Sequence, residues 1–178
     1  MFYRTLVILI LSLAVARSEE PAAPLPDFAG VYPTNTTAPS IGLLASLAPG
    51  ARIVESKEGD VTAFRVDWPD VSVKIRVDPK WDHPGQIVEM NRWITHISRE
   101  QKDNPIIKEL IKKLETTKNC FGCVVTPAFD PDDKAVTLLL ALTVAGDGLI
   151  YAHHTFYDQT GSRILGTEGD PARMQYTK

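Results

Sequence analysis

The stretch VSVKIRVD (71–78) alternates strictly, with Val71, Val73, Ile75 and Val77 on one side and Ser72, Lys74, Arg76 and Asp78 on the other. A period of two marks a half-buried strand, because successive side chains point to opposite faces. VTAFRVDW (61–68) places Phe64, Val66 and Trp68 on one face in the same way. Pro69-Asp70 between the two runs reads as a tight turn, so the pair predicts a β-hairpin. ARIVES (51–56) predicts a further strand before it, turning through Glu58-Gly59-Asp60.

The period then changes. In DHPGQIVEMNRWITHISRE (82–100), Ile87, Met90, Ile94 and Ile97 recur at helical spacing, with Asp82 as a cap near the start. Asn104-Pro105 opens a second helix, since Asn caps well and Pro suits the first helical position. Ile107, Leu110, Ile111 and Leu114 line one side of it, and Lys108, Lys112 and Lys113 the other; Lys118 sits near the negative end of its dipole. FGCVVTPAF (121–129) has strand composition. The apolar run of DPDDKAVTLLLALTVAGDG (130–148) fits a buried strand or a buried helix, and its ends decide for a helix over 131–145. Asp130 is the cap, Pro131 the first residue, Asp132 and Asp133 the first-turn charges, and Gly146 a left-handed stop. LIYAHHTFYD (149–158) predicts one strand, turning at Gln159-Thr160-Gly161 into SRILG. Tyr151, His153, Thr155 and Tyr157 would share one of its faces.

The N-terminal part follows other rules. MFYRTLVILILSLAVARSEE carries Arg4, an apolar run from Leu6 to Ala16 and the triplet Ala14-Val15-Ala16, the parts of a secretory signal. The run is about half the ~20 residues that cross a bilayer, so an integral segment is not expected after cleavage. Six of the 13 prolines fall between residues 17 and 50. Each removes a backbone donor, which predicts an extended tether. SIGLLASLA (40–48) holds room for two helical turns capped by Ser40, and Asn35-Thr36-Thr37 is a glycosylation triplet. The expected organisation is a signal peptide at 1–16, a tether at 17–50, one α+β domain at 51–168 and a loose tail at 169–178. Strand pair, helices and strand–helix–strand in that order predict a two-layer α+β sandwich. Its sheet would be mostly antiparallel, with four to five strands and about three helices packed on it. No internal repeat is present, and no motif is specific enough to name a family.

Composition narrows the function only by exclusion. The 178 residues are 44% hydrophobic and 23% charged, with a formal net charge of −3. That balance is ordinary for a globular domain and gives no basic excess for nucleic acid. No Walker loop and no G-x-G-x-x-G occurs, and no serine sits in a G-x-S-x-G elbow. Asp130, Asp132 and Asp133 miss the calcium-loop pattern, because Ala135 stands where glycine is needed. Trp81, Asp82 and His83 combine a carboxylate and an imidazole without a nucleophile, so a capped helix start explains them more simply.

The two cysteines, Cys120 and Cys123, leave several readings. A redox pair needs the first thiol at a helix N-terminus, whereas Cys120 follows a helix C-terminus. A zinc site would need more ligands, and the histidines at 83, 96, 153 and 154 offer no H-x₃₋₅-H; one of the adjacent pair, His153, is the alternative third donor. An oxidising compartment favours a local Cys120–Cys123 disulfide at the helix-to-strand corner. Two packed thiols are the remaining reading. His153 beside a tyrosine is a candidate general base, but a half-exposed strand explains it more simply. The expectation is therefore a secreted or periplasmic, non-catalytic binding or structural module with no catalytic residue, no cofactor, and a protein or small-molecule partner. The alternative is a small exported zinc-binding protein or hydrolase that uses Cys120, Cys123 and one of His153 or His154, with His153 as the named candidate.

Overall fold

The computed structural model describes residues 26–79, 104–130, 133–153 and 155–166. The expected signal peptide, the helix within 82–100 with Trp81, Asp82 and His83, and the tail at 169–178 lie outside these residues. Eight strands form one antiparallel sheet: β1 (Asp27–Tyr32), β2 (Arg52–Glu58), β3 (Val61–Asp67), β4 (Ser72–Pro79), β5 (Asn119–Thr126), β6 (Leu149–Ala152), β7 (Thr155–Tyr157) and β8 (Arg163–Gly166). Three helices are present among the described residues: α1 (Ile41–Leu47), α2 (Pro105–Thr116) and α3 (Lys134–Ala145). The strand order is β2-β3-β4-β5-β1-β6-β7-β8. The class is thus largely β, and the expected two-layer sandwich with a sheet of four to five strands is incorrect.

Two features account for the difference. Asp27–Tyr32, read as tether, is a central strand that pairs with β5 on one side and β6 on the other. The folded unit therefore begins well before Ala51. The run 149–158, read as one strand, folds back at His153 into β6 and β7, with Ala152 opposite Thr155. The helices also cover both faces rather than one. On the first face, Leu44 of α1 and Ala135, Leu138, Leu139 and Leu142 of α3 pack on Val31, Val73, Ile75, Phe121, Cys123 and Ile150. On the second face, Leu110 and Leu114 of α2 pack on Tyr32, Cys120, Leu149, Tyr151 and Phe156.

Local chemistry sets the helix starts. Ser40 Oγ accepts from the Leu43 amide at 3.2 Å and Asn104 Oδ1 from the Ile106 amide at 3.0 Å, both as expected for these caps. α3 starts at Lys134, three residues later than the sequence suggests. Asp133, not Asp130, takes its cap and accepts from the Ala135 amide at 3.2 Å, while the Asp130 carbonyl receives the Asp133 amide at 2.9 Å. The hairpin β3–β4 and the strand before it form as expected.

The end of α3 is held by the segment after β1. Amides of Thr34 and Asn35 donate to the Gly146 carbonyl at 2.9 and 3.2 Å, and Asn35 Nδ2 and Thr37 Oγ1 donate to the Ala145 carbonyl at 2.9 and 3.2 Å. These bonds satisfy carbonyls that the helix leaves without intrahelical partners. They give the Asn35-Thr36-Thr37 triplet a structural role. Gly146 has φ −86°, so it is not the left-handed stop; Asp147, at φ 47°, takes that conformation. Glycine is needed at 146 for space, since a Cβ there would lie 2.7 Å from Pro33 Cβ. At Gly148 a Cβ would run into the Tyr32 carbonyl oxygen.

Gly148→Ala must push backbone against backbone, and the expected cost is about 2 kcal/mol or more. Gly42→Ala, in α1 with nothing within 4 Å of the new methyl, is expected to stabilise by up to about 1 kcal/mol. Urea denaturation of the two variants checks these opposite signs.

Candidate functional site

Strand parity decides the cysteine question. Both thiols lie in β5, three positions apart, so they leave the sheet on opposite faces. Cys120 is buried under α2 and Cys123 in the core beneath α1 and α3. The expected disulfide is therefore absent, and no single ion is reachable by both sulfurs. This corrects the pairing of Cys120 with Cys123 and also the alternative zinc site on Cys120, Cys123 and His153. The helix-to-strand corner lies at 117–118, before both cysteines, because the strand already runs from Asn119.

The thiols are core groups. Tyr32 shares a side-chain hydrogen bond with Cys120, and Cys123 Sγ donates to the Phe121 carbonyl oxygen at 3.4 Å. Burial, then the nearby Cys120, pushes the Cys123 thiol above its ordinary value of 9.0. Burial, then the charge and hydrogen bond of Cys120, pushes the Tyr32 phenol above its ordinary 10.0. Both groups stay protonated through neutral pH, so Cys123 presents no thiolate for redox chemistry.

His153 occupies the β6–β7 turn with φ 48°, a left-handed conformation uncommon for a residue with a side chain. Its Nε2 is 3.7 Å from Asp27 Oδ1, beyond hydrogen-bond reach, and its ring meets Phe129 edge-on at 5.9 Å. The other carboxylate oxygen, Asp27 Oδ2, accepts from the Phe129 amide at 2.9 Å. The cluster ties three parts of the chain together at one end of β1. The tyrosines expected beside His153 are elsewhere: Tyr151 stacks on Phe156 on the α2 face at 4.7 Å, and Tyr157 lies in the opposite core. His153 thus has no partner arrangement for general-base work among the described residues.

Asp70, Asp130 and Asp133 come together around a depression of about 270 Å³. Burial, then the Asp70 and Asp130 charges, raise the Asp133 carboxyl above its ordinary range, although the Ala135 and Lys134 amides act against this. Lys134 reaches Asp70 at 3.6 Å. Among the described residues no group of three or more His, Cys, Asp or Glu could hold a metal ion.

The feature with the form of a ligand site is a cleft of about 320 Å³ between α2 and the β6–β8 end of the sheet. Leu110, Leu149 and Ile164 give it an apolar lining, and Ile106, 55% exposed, stands at its mouth. Glu109, Lys113, Asp158 and Arg163 supply its charge. Asp158 and Lys113 are engaged within the fold. Burial raises the Asp158 carboxyl, but hydrogen bonds from Thr160 Oγ1, the Ser162 amide and the Thr160 amide, with the Lys113 charge, outweigh it and hold the group below its ordinary range. Lys113 Nζ also lies 3.9 Å from Asp147 Oδ1. Glu109 and Arg163 carry no ion pair among the described residues. The sequence holds one hint of this cleft: Ile106 is apolar yet falls outside the α2 stripe of Ile107, Leu110 and Leu114.

No family model, no curated protein and no solved structure matches this chain. Among the described residues no helix is long and apolar enough to cross a membrane.

Because Cys123 and Tyr32 remain protonated in the fold while an unfolded chain ionises near pH 9 and 10, folding stability holds below those values and falls as pH rises through them. The expected loss is about 1.4 kcal/mol per pH unit above ~9 for Cys123, with Tyr32 adding its own above ~10. Denaturant titrations from about pH 7 to 10.5 check the slope, and Cys123→Ala should flatten its first part. Alkylating reagent should label neither thiol in the native protein and both in urea, with no prior reduction needed.

Proposed function

We propose that this chain is an exported, non-catalytic binding module whose ligand site is the cleft between α2 and β6–β8. The observation that carries the reading is the combination of an apolar lining with two rim charges, Glu109 and Arg163, that no described group neutralises. Ligand sites are typically about 300–1,000 Å³, mostly apolar, with a few polar groups that fix orientation, and this cleft falls at the small end. One unpaired cation and one unpaired anion favour a small dipolar ligand with an apolar body. Its negative group would meet Arg163, its positive group Glu109, and its body Leu110, Leu149 and Ile164. Export is supported by the leader pattern of residues 1–16 alone, now that the cysteines offer it nothing.

Nucleophile, base and orienting group do not converge among the residues that line this cleft, so they can hold a ligand but have no means to activate one. The nearest carboxylate with a displaced titration, Asp158, is spent on its own turn. The reading therefore places recognition, not turnover, at the site.

Titration with small dipolar probes, the zwitterionic forms of leucine and phenylalanine and their dipeptides, is expected to move amide signals of α2, β6 and β8 in heteronuclear NMR. Arg163→Glu and Ile106→Trp should each weaken binding about tenfold or more, the scale of a lost charge-assisted hydrogen bond or a filled cleft, with thermal stability unchanged. His153→Ala should leave binding intact. Signals that move only around the Asp70–Asp130–Asp133 depression, or a His153 variant that abolishes binding, would reject the cleft as the site.

A further inference from the structure

β2 is an edge strand, hydrogen-bonded to β3 on one side only. Such an edge presents unpaired N–H and C=O groups, which proteins either blunt or use for pairing. The two-residue turn Gly59-Asp60, with Gly59 at φ 63°, closes on the Glu58–Val61 pair. In a hairpin of this length the closing pair is hydrogen-bonded, so Glu58, Ser56, Val54 and Arg52 direct their backbone groups at β3. The backbone groups of Ile53, Glu55 and Lys57 therefore point outward. Glu55, Ser56 and Lys57 are exposed, and no described helix covers them.

Charge selects what this edge fits. Glu55, Arg52 and Asp60 have no ion-pair partner among the described residues, and Lys57 bonds the Thr62 hydroxyl, at 2.6 Å. A second β2, antiparallel about a twofold axis normal to the sheet, must keep each residue on its own face. Axes through Val54, Glu55 or Ser56 satisfy this parity. An axis through Glu55 sets that carboxylate against itself, and one through Val54 sets it against Ile53. An axis through Ser56 sets Glu55 opposite Lys57 twice, within the strand. The two Glu55–Lys57 pairs are also the hydrogen-bonded pairs, since both residues carry outward backbone groups. Charges on an edge usually block association. Here the register centred on Ser56 is the one in which Glu55 and Lys57 both meet an opposite charge.

We propose that β2 is a homodimerisation edge, and that two copies pair their β2 strands antiparallel across a twofold axis at Ser56, joining two eight-stranded sheets into one. The partner is a second copy of this chain, and the interface is isologous, with each charge pair made twice. It is distant along the sheet from the cleft, which sits by β6–β8 at the other end, so the two proposals stand or fall separately.

The test uses the full chain. Sedimentation of the unmodified protein should show mass rising toward twice the monomer with concentration. Glu55→Lys and Lys57→Glu should each weaken association about tenfold, because two attractive pairs become repulsive. An equimolar mixture of the two variants should regain it, since the lysine introduced in one copy then faces the glutamate introduced in the other. Mild oxidation of Ser56→Cys should trap a covalent dimer faster than Val54→Cys, Glu55→Cys or the exposed helix control Glu115→Cys. The Ser56 pair is the close, non-hydrogen-bonded one that a disulfide can span. Circular dichroism confirms that each variant is folded. A protein that stays monomeric at every concentration, fastest trapping at Val54 or Glu55, or a mixture that fails to recover would each overturn the proposal.

Discussion

The ladder on both sides of β1 is the contact on which the fold depends. β2 to β5 form one run of antiparallel strands and β6 to β8 another, and among the described residues β1 alone joins them by backbone hydrogen bonds. Asp27–Val31 pair with Phe121–Val125, and Ala29–Tyr32 pair with Leu149–Ala152. Burial follows the pleat: Ala29 and Val31 face the α1 and α3 core, Tyr32 faces α2, and Phe28 stands 60% exposed. Gly30 is required because a Cβ would come within 2.8 Å of the Tyr32 ring. Beyond Tyr32 the chain continues as a clasp on the end of α3, through Thr34, Asn35 and Thr37. The first described strand thereby fixes the position of a helix that lies more than a hundred residues further along the chain.

The same strand decides what can be a site. By holding β6 on its other side from β5, it sets Leu149 next to Leu110 and so forms the floor of the cleft. It also places Asp27 against His153 and Phe129, which fastens the β6–β7 turn. The described residues with the most reactive chemistry, the two thiols and the imidazole, are all absorbed by this scaffold. What remains for a ligand is the combination of lining and charge around α2.

Local rules are legible wherever the signal is local. The alternation of 71–78, the turn at Pro69-Asp70 and the caps at Ser40 and Asn104 need only neighbouring residues, and the structure has each of them. β1 is hidden by composition. DFAGVY has the aromatic and β-branched content of a strand, but Pro26 and Pro33 flank it and make the region read as a tether. Those prolines mark where the strand stops; they do not forbid it. The β6–β7 turn escapes because His153 is not among the usual turn residues and sits inside a run of strand composition. The disulfide fails on the assignment of Cys120 to a corner; once the strand includes it, a spacing of three excludes the bond. The cleft is a property of two surfaces brought together and is readable only at Ile106.

An early strand in the middle of a sheet also imposes an order on synthesis. Asp27–Tyr32 leaves the ribosome before anything it pairs with, and neither β5 nor β6 exists until most of the chain has been made. The meander β2–β4 can zip locally in the meantime, but its join to the far half waits for the C-terminal third. Closing such distant contacts is slow, and the nascent chain stays open until translation is nearly complete.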